Sequence, residues 1–308
     1  MTAAILAGNA AITTHRSFKV TLCSLPQGVK RQTNSHGREF ILIDRPGLSS
    51  QLSLEGAHLL SHSAEGKALL WHSEIEPGKP GIPLRGGIPI CWPWFGADRP
   101  GPAHGIARTS MWALKSIEEI DQTLFVRLSL PRVEQAKHLP ANEQWQLDVE
   151  FSLGRSLQVS LISRNVGDEL QPLTQALHSY LPVSDIQQIS LTGLEDCLYL
   201  DQLTGLQASQ QGDLRVTAEL DRIYSGTAED IQVRDPNGPG LLIQRSGSNS
   251  VVVWNPWQAK AKRLSHFSEQ AYQQMLCVEA ANTLSDARLL EPGESHILTT
   301  RISHLVAK

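Results

Sequence analysis

The chain is poor in the features that mark the easily recognised protein classes. Its 308 residues carry only four cysteines, Cys23, Cys91, Cys197 and Cys277, each far from the others and with no C-x-x-C pair. That spacing supports neither a disulfide framework nor a zinc knuckle, so we read them as small buried hydrophobes in a reducing compartment. No apolar run is long enough to cross a bilayer. The apolar stretch within Met1–Thr14 lacks a preceding Lys or Arg, so no signal peptide is expected and the cytoplasm is the expected location. Charge of one sign is also missing. Lys plus Arg total 27 against 31 Asp plus Glu, a net charge of −4, which gives no field to attract nucleic acid or an anionic membrane. Walker A, G-x-G-x-x-G, G-x-S-x-G and H-E-x-x-H motifs are all absent, and His58 with His62 find no third metal ligand. Metal, nucleotide and serine-hydrolase readings therefore fall away, and the expected cofactor is none.

Helical periodicity is scarce as well; Pro131 to His138 has room for a turn or two. Period-two alternation dominates instead. Phe18 to Leu22, Phe40 to Ile43, Ala68 to Trp71, Leu124 to Leu130, Trp145 to Leu153, Leu157 to Ser163, Leu241 to Gln244, Val251 to Trp254, Met275 to Val278 and His296 to Ile302 read as strands. Turn clusters such as Asp235-Pro236-Asn237-Gly238 separate them. Many short strands without a β-α-β rhythm predict an all-β antiparallel sandwich. Neither a linker nor a repeat divides the chain, so residues 1–308 are read as one domain, the first fifteen or so as a loose arm, and the protein as a monomer.

Two segments break the alternation: Pro80 to Arg108, rich in Gly, Pro and Trp, and the polar, basic Asn255 to Gln270. Long irregular segments cost ordering entropy and often carry function. In the first, Leu84-Arg85-Gly86-Gly87 offers a guanidinium fork, with glycines permitting close backbone approach to a ligand and Trp92, Trp94 and Phe95 as a flat wall for a sugar ring. A tight structural turn with buried aromatics explains the same residues equally well. Ala103-His104-Gly105-Ile106-Ala107-Arg108 places a His on irregular backbone with a second arginine four residues on. His178, in Leu177-His178-Ser179-Tyr180, titrates near neutrality and suits general acid work, although a lone His is more often structural. Asp221 beside Arg222 reads by itself as a surface ion pair. Glu279 ends the apolar strand from Met275, where desolvation raises a carboxyl toward a useful base; an ordinary edge carboxylate is the bland reading.

Together LRGGIPICWPWFG, AHGIARTSMW, LHSYLPVSD, DRIY, VWNPWQAKA and MLCVEAAN resemble, in the same order, the hexose-6-phosphate mutarotases of the aldose 1-epimerase superfamily. The resemblance runs from about Arg85 to Asn282. It implies a large antiparallel β-sandwich, no cofactor, and a small-molecule sugar phosphate as partner. It further implies His178 and Glu279 as the catalytic pair, and Arg85, His104, Arg108 and Asp221 as substrate contacts. Ala103 departs from relatives that carry Gln there. Three alternatives stay open: a glycoside hydrolase using Glu279 and Asp221 as paired carboxylates, a non-catalytic carbohydrate-binding module, and a mutarotase for a free aldose. Lys260, Lys262 and Arg263 are further candidates for holding a phosphate.

Overall fold

The computed structural model describes residues 25–75, 79–227 and 229–305. The alternating strand read at Phe18 to Leu22 and Cys23 lie outside these residues. Three antiparallel sheets dominate. The first has eight strands in the order Ser190–Thr192, Ile231–Arg234, Leu241–Ser246, Ser295–His304, Leu157–Asn165, Trp145–Leu153, Thr123–Leu130 and Ala113–Ile120. Burial along Thr123–Leu130 and most of Leu157–Asn165 alternates residue by residue, as expected when one face meets a core and the other meets water.

The second large sheet runs Gln207–Ser209, Leu198–Asp201, Leu220–Ser225, Ser250–Asn255, Met275–Asn282, Gln175–Leu177 and Ile90–Cys91, with Tyr180–Pro182 also paired to Met275–Asn282. Its two central strands are buried at every position. One apolar cluster takes side chains from both large sheets, among them Phe151, Val159 and Leu161 from one and Tyr224, Val253 and Cys277 from the other. Fully burying each such side chain contributes roughly 1.5–3 kcal/mol. The opposite face of the second sheet carries a small separate cluster of Cys91, Phe95, Ala176, Ile223, Val252 and Ala281. That sheet thus carries apolar side chains in a packed cluster on each face. A five-stranded sheet from Val29–Thr33 to Lys67–Ala68 shares the main core.

The all-β sandwich expected from alternation is what forms. Among the described residues helix is confined to short pieces such as Arg132–Gln135 and Trp257–Ala261, the latter inside the polar segment after Asn255. The strand read at Ala68 to Trp71 ends at Ala68; beyond it Trp71 bonds Tyr180 and Gly87 across a gap. Glu279 does not end its strand but sits inside Met275–Asn282.

Candidate active site

Register builds the centre of the site. Leu177 pairs with Ala280 and Tyr180 with Cys277, so the two residues between them, in the same register, stand across from Val278 and Glu279. His178 is one of them. Its backbone N–H donates to the Pro89 carbonyl at 3.1 Å. The ring stacks on Tyr180, with centroids 4.8 Å apart and planes 16° apart, and meets the edges of Trp254 and His104. Held this way, His178 Nε2 lies 3.3 Å from Glu279 Oε1.

Glu279 is buried, 1% exposed, and the His178 side chain is 13% exposed. His178 Nδ1 and Glu279 Oε2 have no hydrogen-bond partner among the described residues. Burial, and after it the negative charge of Asp221, pushes the Glu279 carboxyl well above its usual range. Burial, then His104 and Arg108, holds His178 well below 6.5. Both shifts favour the uncharged forms. One proton donor and one acceptor then face the same space.

That space is a cavity of about 410 Å³. All six residues singled out from the sequence line it: Arg85, His104, Arg108, His178, Asp221 and Glu279. Asp221 arrives through pairing of Leu220–Ser225 with Ser250–Asn255, which sets it opposite Trp254; one strand further, Val252 is opposite Glu279. Gln202 donates to Asp221 Oδ1 at 2.6 Å, and Lys260 lies 3.7 Å from Oδ2. Burial raises the Asp221 carboxyl, and Lys260 pulls it back. Arg222, its neighbour, projects to the other face, where it reaches Asp201 at 3.6 Å. The ion pair read between Asp221 and Arg222 does not form, because adjacent strand residues face opposite ways.

His104 adopts a left-handed backbone, φ 64°. Gly105 follows because a Cβ there would collide with the Trp92 carbonyl. The His104 ring packs edge-on to Phe95, 4.9 Å between centroids, and its Nδ1 accepts the Gly96 N–H at 3.3 Å. Burial and Arg108 lower its pKa to about 4, so it is neutral, with Nε2–H left as a donor. Arg108 donates to the Ala103 carbonyl at 2.6 Å, and Arg85 Nε to the Ser265 carbonyl at 3.1 Å.

Three details differ from the expectations. The glycines after Arg85 do not open the backbone to a ligand. A Cβ on Gly86 would overlap His72, and one on Gly87 the Leu59 carbonyl, so both serve close packing of main chain on main chain. Trp92 and Trp94 are core residues, their indole N–H groups spent on Ser163 and on the Pro102 carbonyl. Of the expected aromatic wall only Phe95 reaches the cavity; Tyr180 and Trp254 supply the rest. Lys260 lines the cavity, but Lys262 and Arg263 are exposed and do not. Gln202 was not foreseen: a lone Gln in a loop leaves no pattern to read. Among the described residues no group of three or more His, Cys, Asp or Glu could hold a metal ion, and no helix is long and apolar enough to cross a membrane.

The model of the family described as aldose 1-epimerase matches residues 39–303. This chain belongs to the aldose 1-epimerase family. The epimerase is 30% identical over 266 residues to an Escherichia coli K12 protein provisionally named glucose-6-phosphate 1-epimerase, covering 84% of this chain and 88% of that one. A Cenchrus ciliaris protein with the same provisional name is 34% identical over 259 residues, 80% and 78% of the two chains. Its fold matches, with a TM-score of 0.84 and 27% identity, a crystal structure from Salmonella typhimurium described provisionally as a mutarotase, covering 92% of this chain and 96% of that one. The enzyme is thus an isomerase of the mutarotase class acting on a sugar.

Proposed function

We propose that this epimerase interconverts the α and β anomers of a hexose 6-phosphate, glucose 6-phosphate foremost, with Glu279 and His178 as its acid–base pair. The observation that carries the reading is the 3.3 Å contact between buried Glu279 and largely covered His178, each with an atom that has no hydrogen-bond partner among the described residues, in a cavity that also holds two arginines. The reactive form is the one in which the proton the pair can exchange across its 3.3 Å contact rests on His178: Glu279, as carboxylate, then takes the proton of the C1 hydroxyl while His178 gives one to the ring oxygen. The C1–O5 bond breaks to the open aldehyde, rotation about C1–C2 presents the other face, and reclosure returns both protons by the reverse transfers. Nothing is consumed, because each group ends the cycle in the form in which it began. Each transfer typically contributes about 10²–10⁴-fold. Asp221 accepts from sugar hydroxyls, the His104 Nε2–H donates to one, and Trp254 and Phe95 flank the ring.

The phosphate must be gripped locally, because the chain's net charge of −4 repels a dianion at long range. Arg85 and Arg108 supply the planar forks for it. The relatives' provisional names point to the same substrate. Anomer exchange followed by NMR on glucose 6-phosphate and on glucose tests this. The phosphorylated sugar should turn over with the larger kcat/KM. A charge-assisted hydrogen bond contributes about 1.5–3 kcal/mol, so Arg108→Ala should raise KM for glucose 6-phosphate about 10- to 100-fold, with little change for glucose. Equal loss on both would assign Arg108 to the ring and the enzyme to a free aldose.

A further inference from the structure

The wall that carries Arg85 is held from behind by charge. Arg38, at the turn before strand Glu39–Arg45, and Glu55, just after strand Leu48–Ser53, are 2% and 3% exposed, and their Nη1 and Oε2 atoms lie 3.2 Å apart. A buried ion pair is costly unless its remaining groups are well bonded, and an apolar pair of similar size often replaces it without loss of stability. Here the well-formed bonds are not between the two partners. Arg38 Nη2 donates to the carbonyls of Lys79 and Ile82, both at 3.0 Å, and Glu55 Oε1 accepts the Gly81 N–H at 2.7 Å. Arg38 Nε and Glu55 Oε2, meanwhile, have no hydrogen-bond partner among the described residues. The pair spends its polar capacity on the main chain of residues 79–82.

That stretch leads directly into the cavity wall, where Ile82, Pro83, Leu84 and Arg85 all line the cavity. Just beyond, His58 Nε2 bonds the Gly86 carbonyl at 2.6 Å. Arg85 therefore lies between two anchors from the same five-stranded sheet. The arginine at the far end of the same irregular segment is tied in too: Gly56, next to Glu55, packs so closely on the Arg108 carbonyl that a Cβ would collide with it. We infer that the buried Arg38–Glu55 pair is a positioning clamp, fixing the 79–85 wall so that the Arg85 guanidinium is aimed at the substrate. Neither residue lines the cavity. The inference rests on the reading that Arg85 holds substrate, and its test separates the two.

The experiment measures kcat and KM for glucose 6-phosphate in the double variant Arg38→Met with Glu55→Leu, in Arg85→Ala, and in the triple combination. The double variant should keep its melting temperature within a few degrees and kcat within about 3-fold, while KM rises about 10-fold. In the Arg85→Ala background the same two substitutions should change KM by less than about 2-fold, because the residue they aim is gone. A merely structural pair would show no such dependence on Arg85. Arg38→Lys keeps the charge but loses the fork that spans two carbonyls; it should raise KM about 3- to 10-fold, and it carries the same cycle if the double variant does not fold. An unchanged KM in the clamp variants, or an undiminished rise without Arg85, overturns the inference. An unchanged KM in Arg85→Ala alone overturns instead the substrate grip on which the inference stands.

Discussion

Glu279 and Asn282 stand three residues apart on one fully buried strand, yet their surroundings are opposites. Asn282 has all its capacity used. Its Nδ2 donates to the Gly247 carbonyl at 2.8 Å and to Asp286 at 2.9 Å, while Oδ1 accepts from Gln175 at 3.0 Å and meets His296 Nε2 at 3.0 Å. Glu279 has His178 and an oxygen with no hydrogen-bond partner among the described residues. A buried polar group left half-satisfied costs stability, and proteins tolerate that where a ligand completes the set. On this strand, satisfied burial belongs to the frame, and the half-satisfied carboxyl is the one that faces the cavity.

The sharpest way to break that contrast is to mutate both ends of the strand. Glu279→Gln and His178→Ala should each lower kcat by about 10²–10⁴-fold, or roughly 3–5 kcal/mol of barrier, with melting temperatures near that of the parent enzyme. Asn282→Ala should do the reverse. Leaving Gln175, Asp286 and His296 without their shared partner should cost about 2–4 kcal/mol in urea unfolding, and kcat of the remaining folded enzyme should stay within a few-fold. Near-normal turnover in Glu279→Gln would remove it from the chemistry.

Histidines divide along the same line. His62 is bonded on both nitrogens, to Ser50 Oγ at 2.8 Å and the Gly154 carbonyl at 2.9 Å, and burial lowers its pKa to about 4. Burial lowers that of His58 likewise to about 4. Their folded values lie below the ordinary 6.5, so the unfolded chain binds more protons in between. The resulting stability is complete above pH 6.5 and is lost as pH falls toward 4. At about 1.4 kcal/mol per unit, each contributes at most about 3 kcal/mol. Urea unfolding at pH 7 and pH 4.5 should show this loss, and His62→Gln should be less stable at pH 7 but lose less on acidification. An equal pH slope in that variant would mean His62 is not kept neutral by the fold.

Which parts of this were legible in sequence follows from physics. Trp145–Leu153 and the strands beside it have one packed and one wet face, so their alternation is written in the residues. Three-residue strands such as Gln171–Leu173, Ser190–Thr192 and Gln207–Ser209 are too short to show a period and exist only through their partners. The six site candidates were readable from motifs because each stands among unusual neighbours. The work of those neighbours was not. Gly86 and Gly87 look made for a ligand, but what they approach is the main chain of Leu59 and His72, distant in sequence. Trp92 looks like a sugar platform until its N–H is found on Ser163, across the core. Gln202 enters only because its loop folds back on Asp221.

The smallest effect expected concerns Asp221 and Arg222, adjacent residues on opposite faces of one strand. Asp221 looks into the cavity. Arg222 lies over the Tyr199 ring, 4.3 Å from its centroid, and reaches Asp201 at 3.6 Å. Partly exposed ion pairs and cation–π contacts contribute about 0.5–1 kcal/mol each. Arg222→Met keeps most of the apolar stem over the ring, so it should cost no more than about 1 kcal/mol in unfolding and leave kcat and KM within 2-fold. Asp221→Asn, by contrast, should raise KM about 10-fold, since it weakens acceptance from sugar hydroxyls while leaving the shape of the cavity intact. If Arg222→Met raised KM as much as Asp221→Asn, the alternation of the strand would not be what separates binding from scaffold here. The face that carries Tyr199 would then have to be treated as part of the substrate path.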